Sequence, residues 1–152
     1  MPRSYPERWT RLERNKITLG EAYGNTARNI TASPGTGIDP DESFDVSPYA
    51  QAVFEYFVWN PARQDMGRKF KIYFSSSQSD SAMSFIHDLG FIPQVKTVAG
   101  QEIRGYKVLI GGGLGAQPFL AQVAAEFLEE DRLIPFIESI LRVFHRYGER
   151  AR

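Results

Sequence analysis

A chain of 152 residues with 42% apolar and 13% aromatic content is globular in composition and long enough to bury a core. Its 18 basic and 18 acidic residues cancel, so net charge gives no support to a nucleic-acid or membrane partner. The absence of cysteine removes disulfides, thiolate metal sites, cysteine nucleophiles and cysteine-ligated clusters from what this chain can build alone.

No apolar run approaches the roughly 20 residues that span a bilayer, and Met1 to Lys16 is polar and arginine-rich, without the apolar centre of a secretory signal. The expectation is a soluble, cytoplasmic protein with an irregular leader over 1–16 and a single domain over 17–152. Trp9 and Leu12 are placed to pin the leader to the body. Thr18 and Glu21 have capping-box spacing, so a short helix is expected there, stopped at Gly24-Asn25. Arg28–Ser33 is rich in β-branched residues and reads as a strand. Ser33–Glu42, dense in Gly, Pro and Asp, reads as a loop. Ser47-Pro48 opens a helix in which Tyr49, Val53, Tyr56, Phe57 and Asn60 recur at helical spacing until Pro61.

Arg68–Ser75 alternates strictly, which predicts a strand with Lys69, Lys71 and Tyr73 on one face and Phe70, Ile72 and Phe74 on the other. The polar run Ser75–Ser81 is expected to be a loop, with Asp80 capping a helix that runs through Leu89 and stops at Gly90. Phe91–Val98 is expected as a strand broken near Pro93, followed by a turn at Ala99–Glu102. Arg104–Ile110 is a further strand and leads into Gly111–Gly115. Helices are predicted over 118–130 and 133–147. In the second, Leu133, Phe136, Ile137, Ile140, Leu141, Phe144 and Tyr147 form a wide apolar face that Gly148 closes. The pattern predicts an α+β domain, a mixed β-sheet with helices packed on it.

Three places stand out chemically. On the strand Arg68–Ser75, Lys69 and Lys71 are held about 7 Å apart, and together with Arg68 they form a cationic ridge suited to an anion. Lysines that simply face water are the plainer account. Arg28, with Asn25, Asn29 and Thr31, groups a guanidinium with amides and a hydroxyl, a set suited to an oxyanion or carboxylate. An arginine salt-bridged at a sheet edge has the same local signature. Gly111, Gly112 and Gly113 sit between a strand and an expected helix, where backbone N–H groups and a helix N-terminus favour an anion. Gly111-x-Gly113-x-x-Ala116 also fits loosely the dinucleotide fingerprint, while close packing of helix on sheet explains the same glycines. No nucleophile–base pair is visible. His87 and His145 match no short zinc spacing, and Asp39, Asp41, Glu42 and Asp45 read as solvated loop acids. No metal site is expected.

Taken in order, Gly24–Pro34 (GNTARNITASP), Arg68–Ile72 (RKFKI) and Lys107–Gly115 (KVLIGGGLG) resemble the sirohaem-dependent nitrite and sulfite reductases. His87–Ile92 (HDLGFI) and the closing Leu141–Gly148 are also similar, so the resemblance covers most of the chain from about Leu19. It implies that Arg28, Lys69 and Lys71 bind the anionic sulfite or nitrite and assist its protonation. It further implies that Asn25, Asn29, Thr31 and Arg68, with Gly111–Gly113, lie at the sirohaem pocket. The whole enzyme of that family reduces sulfite to sulfide, or nitrite to ammonia, in a six-electron reaction, and takes electrons from ferredoxin or a flavoprotein.

The family holds its [4Fe–4S] cluster on cysteines of a later domain, and this chain has none. The expectation is therefore the first of two related α+β domains, inactive alone and dependent on the cysteine-bearing domain of the same protein. Two alternatives belong to other classes. One is a stand-alone binding or scaffolding domain of the same fold without reductase activity, and the other is a nucleotide-binding module built on Gly111–Ala116.

Overall fold

The computed structural model describes residues 14, 27–58, 60, 66–80 and 83–149. The expected helix start at Thr18, the candidate Asn25 and nearly all of the 1–16 leader lie outside the described residues. Five strands form one mixed sheet in the order β1 (Ala27–Ala32), β2 (Phe70–Phe74), β3 (Leu89–Val98), β4 (Gln101–Ile110) and β7 (Gln122–Glu129). β1, β2 and β3 run parallel to one another, whereas β4 is antiparallel to both β3 and β7. A small hairpin, β5 (Gly113–Leu114) with β6 (Pro118–Phe119), leads into β7. The α+β class and mixed sheet expected from the sequence are present.

The alternation of β2 drives the layering. Phe70, Ile72 and Phe74 are almost fully buried in a cluster that takes in Leu89, Phe91, Tyr106 and Val108 from the neighbouring strands. Both helices cover this face. α1 (Ser47–Val58) contributes Ala50, Val53 and Phe57, and α2 (Leu133–Tyr147) contributes Leu133, Ile137 and Leu141, spacings that keep each set on one stripe. Each large side chain buried this way is worth about 1.5–3 kcal/mol. The entry to α1 is held by Asp45, whose Oδ1 accepts the Ser47 N–H (2.8 Å), and so the cap lies two residues before the expected Ser47. The expected end of α2 at Gly148 is present, where the glycine N–H bonds Phe144 O (2.7 Å).

Three expected elements differ. The helix over 80–89 is a single 3-10 turn, Ser84–Ile86, because Leu89 and Gly90 pair with Ile72 and Tyr73 and begin β3 instead. Asp80 still caps that turn, accepting from Ser84 N (2.8 Å) and Ser84 Oγ (2.6 Å). β3 is unbroken at Pro93, because β2 ends beside Phe91 and leaves that edge open. The Pro93 carbonyl there accepts from Ser43 Oγ at 3.3 Å. The helix over 118–130 is replaced by the β5–β6 hairpin and β7. Ala124, Ala125, Glu126 and Leu128 are good helix formers, but the open edge of β4 offers a ladder, and tertiary pairing overrides propensity. The turn between β3 and β4 is the two-residue pair Ala99-Gly100, both at positive φ (52° and 81°), which matches the twist of a hairpin.

Tyr106 lies at the centre of the core, its ring edge-on to Phe44, Tyr49, Phe74 and Phe91 at 5.5–5.8 Å. Its hydroxyl is buried and has no hydrogen-bond partner among the described residues. A buried unpaired hydroxyl is destabilising, so Tyr106→Phe should raise the unfolding free energy by about 1 kcal/mol in denaturant melts. A loss of similar size would reveal a partner for the hydroxyl.

Candidate functional site

The face of the sheet opposite the helices carries the ridge. Lys69 and Arg68 are exposed just before β2, and Lys71 is half-buried within it. Parallel pairing sets Asn29 beside Lys71 and Thr31 beside Tyr73, so these polar residues of β1 share the lysine face. Between Ala27, which pairs with Phe70, and Asn29, which pairs with Lys71, β1 has one extra residue, Arg28. It sits at a bulge, a device that breaks the alternation of a strand locally. Among the described residues no carboxylate is in ion-pair contact with Arg68, Lys69 or Lys71.

Tyr73 is the floor next to the ridge. It is buried, its ring stacks on His87 (4.8 Å, 22° between planes), and burial pushes its hydroxyl pKa up. Beside it, Asp88 Oδ2 accepts the backbone N–H of Lys71 at 2.9 Å. Burial raises the Asp88 carboxyl pKa, against the opposing pull of that N–H and of the Lys71 charge. The Asp88 carbonyl accepts the Gly111 N–H (2.9 Å), and the His87 carbonyl accepts that of Gly112 (3.0 Å). A row therefore crosses the sheet: Asn29, Lys71, Asp88, Gly111. One described member of each of the three places singled out in the sequence, Asn29, Lys71 and Gly111, lies in this row.

The glycines need their small size for a specific reason. A Cβ on Gly112 would lie 2.5 Å from Phe85 O and 2.6 Å from His87 O, and Gly111 has φ +87°. Their N–H groups are spent on carbonyls and no helix follows, so neither a helix N-terminus nor the dinucleotide arrangement of strand, glycines and helix is present. Gly113 is half-buried beside them, with open space where a side chain would go.

Sequence reasoning missed Asp88, because the segment read as helix. The signal was available in Leu89–Phe91, an apolar run opening directly onto β3. Ser75, Ser76 and Ser77, read as an ordinary loop, are fully buried. Ser76 Oγ donates to Asp39 Oδ2 (2.9 Å), and Asp39 Oδ1 takes the Asp41 N–H (3.0 Å), so the acidic loop is braced internally. Those two bonds, the Asp41 N–H foremost, hold the Asp39 carboxyl below the usual carboxylate range. Among the described residues no group of His, Asp and Glu is arranged to hold a metal, and no helix is long and apolar enough to cross a membrane.

The model of the nitrite and sulphite reductase 4Fe-4S domain matches residues 23–152. This chain belongs to that family. The assimilatory ferredoxin-dependent nitrite reductase of Haloferax mediterranei is 33% identical over 95% of the chain, and a ferredoxin sulfite reductase of Mycolicibacterium paratuberculosis is 32% identical over 95%. The chain spans about a quarter of the length of each, 25% in both cases. The solved structure of Mycobacterium tuberculosis NirA superposes with a TM-score of 0.78 at 28% identity, covering 95% of this chain and 26% of that one.

The packing role of Gly112 can be checked directly. Gly112→Ala should cost about 2 kcal/mol in thermal or denaturant melts, because the methyl meets backbone carbonyls that cannot yield. Gly113→Ala, with open space at its Cβ, should change stability by less than about 0.5 kcal/mol. Equal effects would remove the steric account.

Proposed function

We propose that this chain is the domain of a sirohaem-dependent nitrite or sulfite reductase that supplies the basic face for anion and cofactor. The observation that carries this reading is Asn29 paired with Lys71 on the sheet face opposite the two described helices, with Lys69 and Arg68 beside them and Gly111 tied to Lys71 through Asp88, in a reductase-family domain. Its donor chemistry fits a polycarboxylate macrocycle and a small oxyanion, both of which need several N–H donors and positive charge. Sirohaem, when bound, supplies the redox-active iron at which the anion is reduced.

The protein's own part is binding, orientation and proton supply. Lys69, Lys71 and Arg28 attract the anion and neutralise it, and Asn29 and Thr31 add neutral hydrogen bonds. Lysine ammonium groups also hold protons that can pass to an oxygen of the bound substrate. Arg68 would hold acidic groups of the cofactor, and the Gly111–Gly113 segment, whose first two N–H groups are bonded within the chain, would border it. The full reaction, the six-electron reduction of nitrite or sulfite, needs an electron path that this chain does not contain. With no cysteine, it provides no thiolate for a [4Fe–4S] cluster, and the reading places the cluster on another domain of a longer polypeptide. The names of the relatives support ferredoxin as electron donor. Alone, the 152-residue chain is expected to be inactive.

The lack of cysteine also favours a second reading, a binding or scaffolding domain that keeps the face without the reaction. Lys69→Met and Lys71→Met, made in the longer reductase that carries this domain, separate the two. On the first reading each lowers turnover at least tenfold, about 1.4 kcal/mol of lost transition-state stabilisation, with little change in melting temperature. Unchanged reduction of both nitrite and sulfite would favour the second.

A further inference from the structure

We infer that Asp88 is a positioning residue of the anion site: its carboxylate, through the Lys71 backbone N–H, fixes where the lysine ridge stands relative to the glycine corner. This inference rests on the anion-face reading above. Four observations carry it.

The backbone ladder between β2 and β3 begins at Ile72 and Leu89. One residue earlier, at Lys71, the rung is supplied by a side chain, Asp88 Oδ2 at 2.9 Å. The same residue's carbonyl receives the Gly111 N–H at 2.9 Å, one step beyond the Leu89–Ile110 pair that ends the β3–β4 ladder. Asp88 thus ties β2 to β4 across the mouth of the sheet, by its side chain on one side and its backbone on the other. Finally, Asp88 is half-buried and borders an open groove of about 330 Å³ between the sheet and α2, lined mainly by Phe70, Ile140, Val143 and Phe144. A backbone N–H bonded to a carboxylate oxygen is charge-assisted and stronger than a neutral pair, so the bond is well placed to hold the strand end.

Asp88 does not touch the proposed anion. It acts through the position of Lys71, and also of Lys69 two residues before it. Removing the acceptor frees the first residues of β2 to move, and a lysine pair that must converge on one small anion loses part of its preorganisation. Asparagine keeps an oxygen acceptor for the Lys71 N–H and should preserve the arrangement, although it removes the charge.

The 152-residue chain, at low ionic strength, provides the test. Sulfite is titrated into the wild type, Asp88→Ala, Asp88→Asn and Lys71→Met, with backbone amide chemical shifts of Lys69 and Lys71 and amide hydrogen exchange at Lys71 as readouts. The expected result is sulfite affinity about fivefold weaker in Asp88→Ala, in line with the loss of one hydrogen bond, with faster exchange at Lys71. Asp88→Asn should stay within about twofold of wild type in affinity, since it keeps the acceptor. If Lys71→Met weakens binding while Asp88→Ala does not, the positioning role is overturned and the anion site stands. Should Asp88→Asn bind as weakly as Asp88→Ala, the charge matters rather than the acceptor, and the inference also fails. If the wild type binds no sulfite, or Lys71→Met binds it as well as wild type, the anion-face reading fails and takes this inference with it. Melting curves identify any variant that is merely unfolded. Should Asp88→Ala be one, Asp88→Asn decides: wild-type affinity with slow Lys71 exchange supports the role, and lost affinity overturns it.

Discussion

The alternation of β2 is the constraint on which the rest of the structure depends. Phe70, Ile72 and Phe74 are buried under both helices, and their burial leaves Lys69 and Lys71 no choice of face. The magnitudes decide which effect wins. Two ammonium groups about 7 Å apart repel by roughly 0.6 kcal/mol in water, and less with salt. Burying three large apolar side chains contributes several times that, at about 1.5–3 kcal/mol each. The fold can therefore keep a cationic ridge with no carboxylate in ion-pair contact among the described residues. A strand with lysines facing solvent has the same local sequence. Here the row is joined by Asn29 and by the glycine corner, and isolated solvent-facing lysines do not require these.

How much of this was legible in the sequence follows from which interactions are local. β1, α1, β2 and α2 were visible because period 2 or period 3.6 is written in their own residues. β7 was not. Gln122–Glu129 contains residues that favour a helix, and only the free edge of β4, distant in sequence, makes it a strand. The segment 80–89 failed for the same reason, since Leu89 and Gly90 are taken by β2. The candidate residues on β1 and β2 were legible as types, and the structure adds their adjacency: the pairing of Asn29 with Lys71 is a property of strand register. Asp88 was illegible as a site residue because its role is a bond to a backbone seventeen positions away. For the glycines, close packing is the reason at Gly112, but the neighbours are the Phe85 and His87 carbonyls at the 3-10 turn rather than the helix expected there.

The place where the site forms is itself informative. β1, β2 and β3 are parallel, and β3 to β4 is antiparallel, so the polar row crosses the point where the hydrogen-bond pattern changes. Parallel rungs are slanted and antiparallel ones perpendicular, and the two ladders do not end in step. At this mismatch the backbone leaves the Lys71 N–H without a strand partner and the Gly111 N–H just past the end of its ladder. A residue that offers two acceptors, one on its side chain and one on its backbone, satisfies both. Aspartate immediately before a strand does this with a short side chain that has few rotamers to lose. A lysine ridge placed anywhere else on β2 would lack such an anchor. One residue thus meets the hydrogen-bonding needs of the sheet edge and holds the basic face in place.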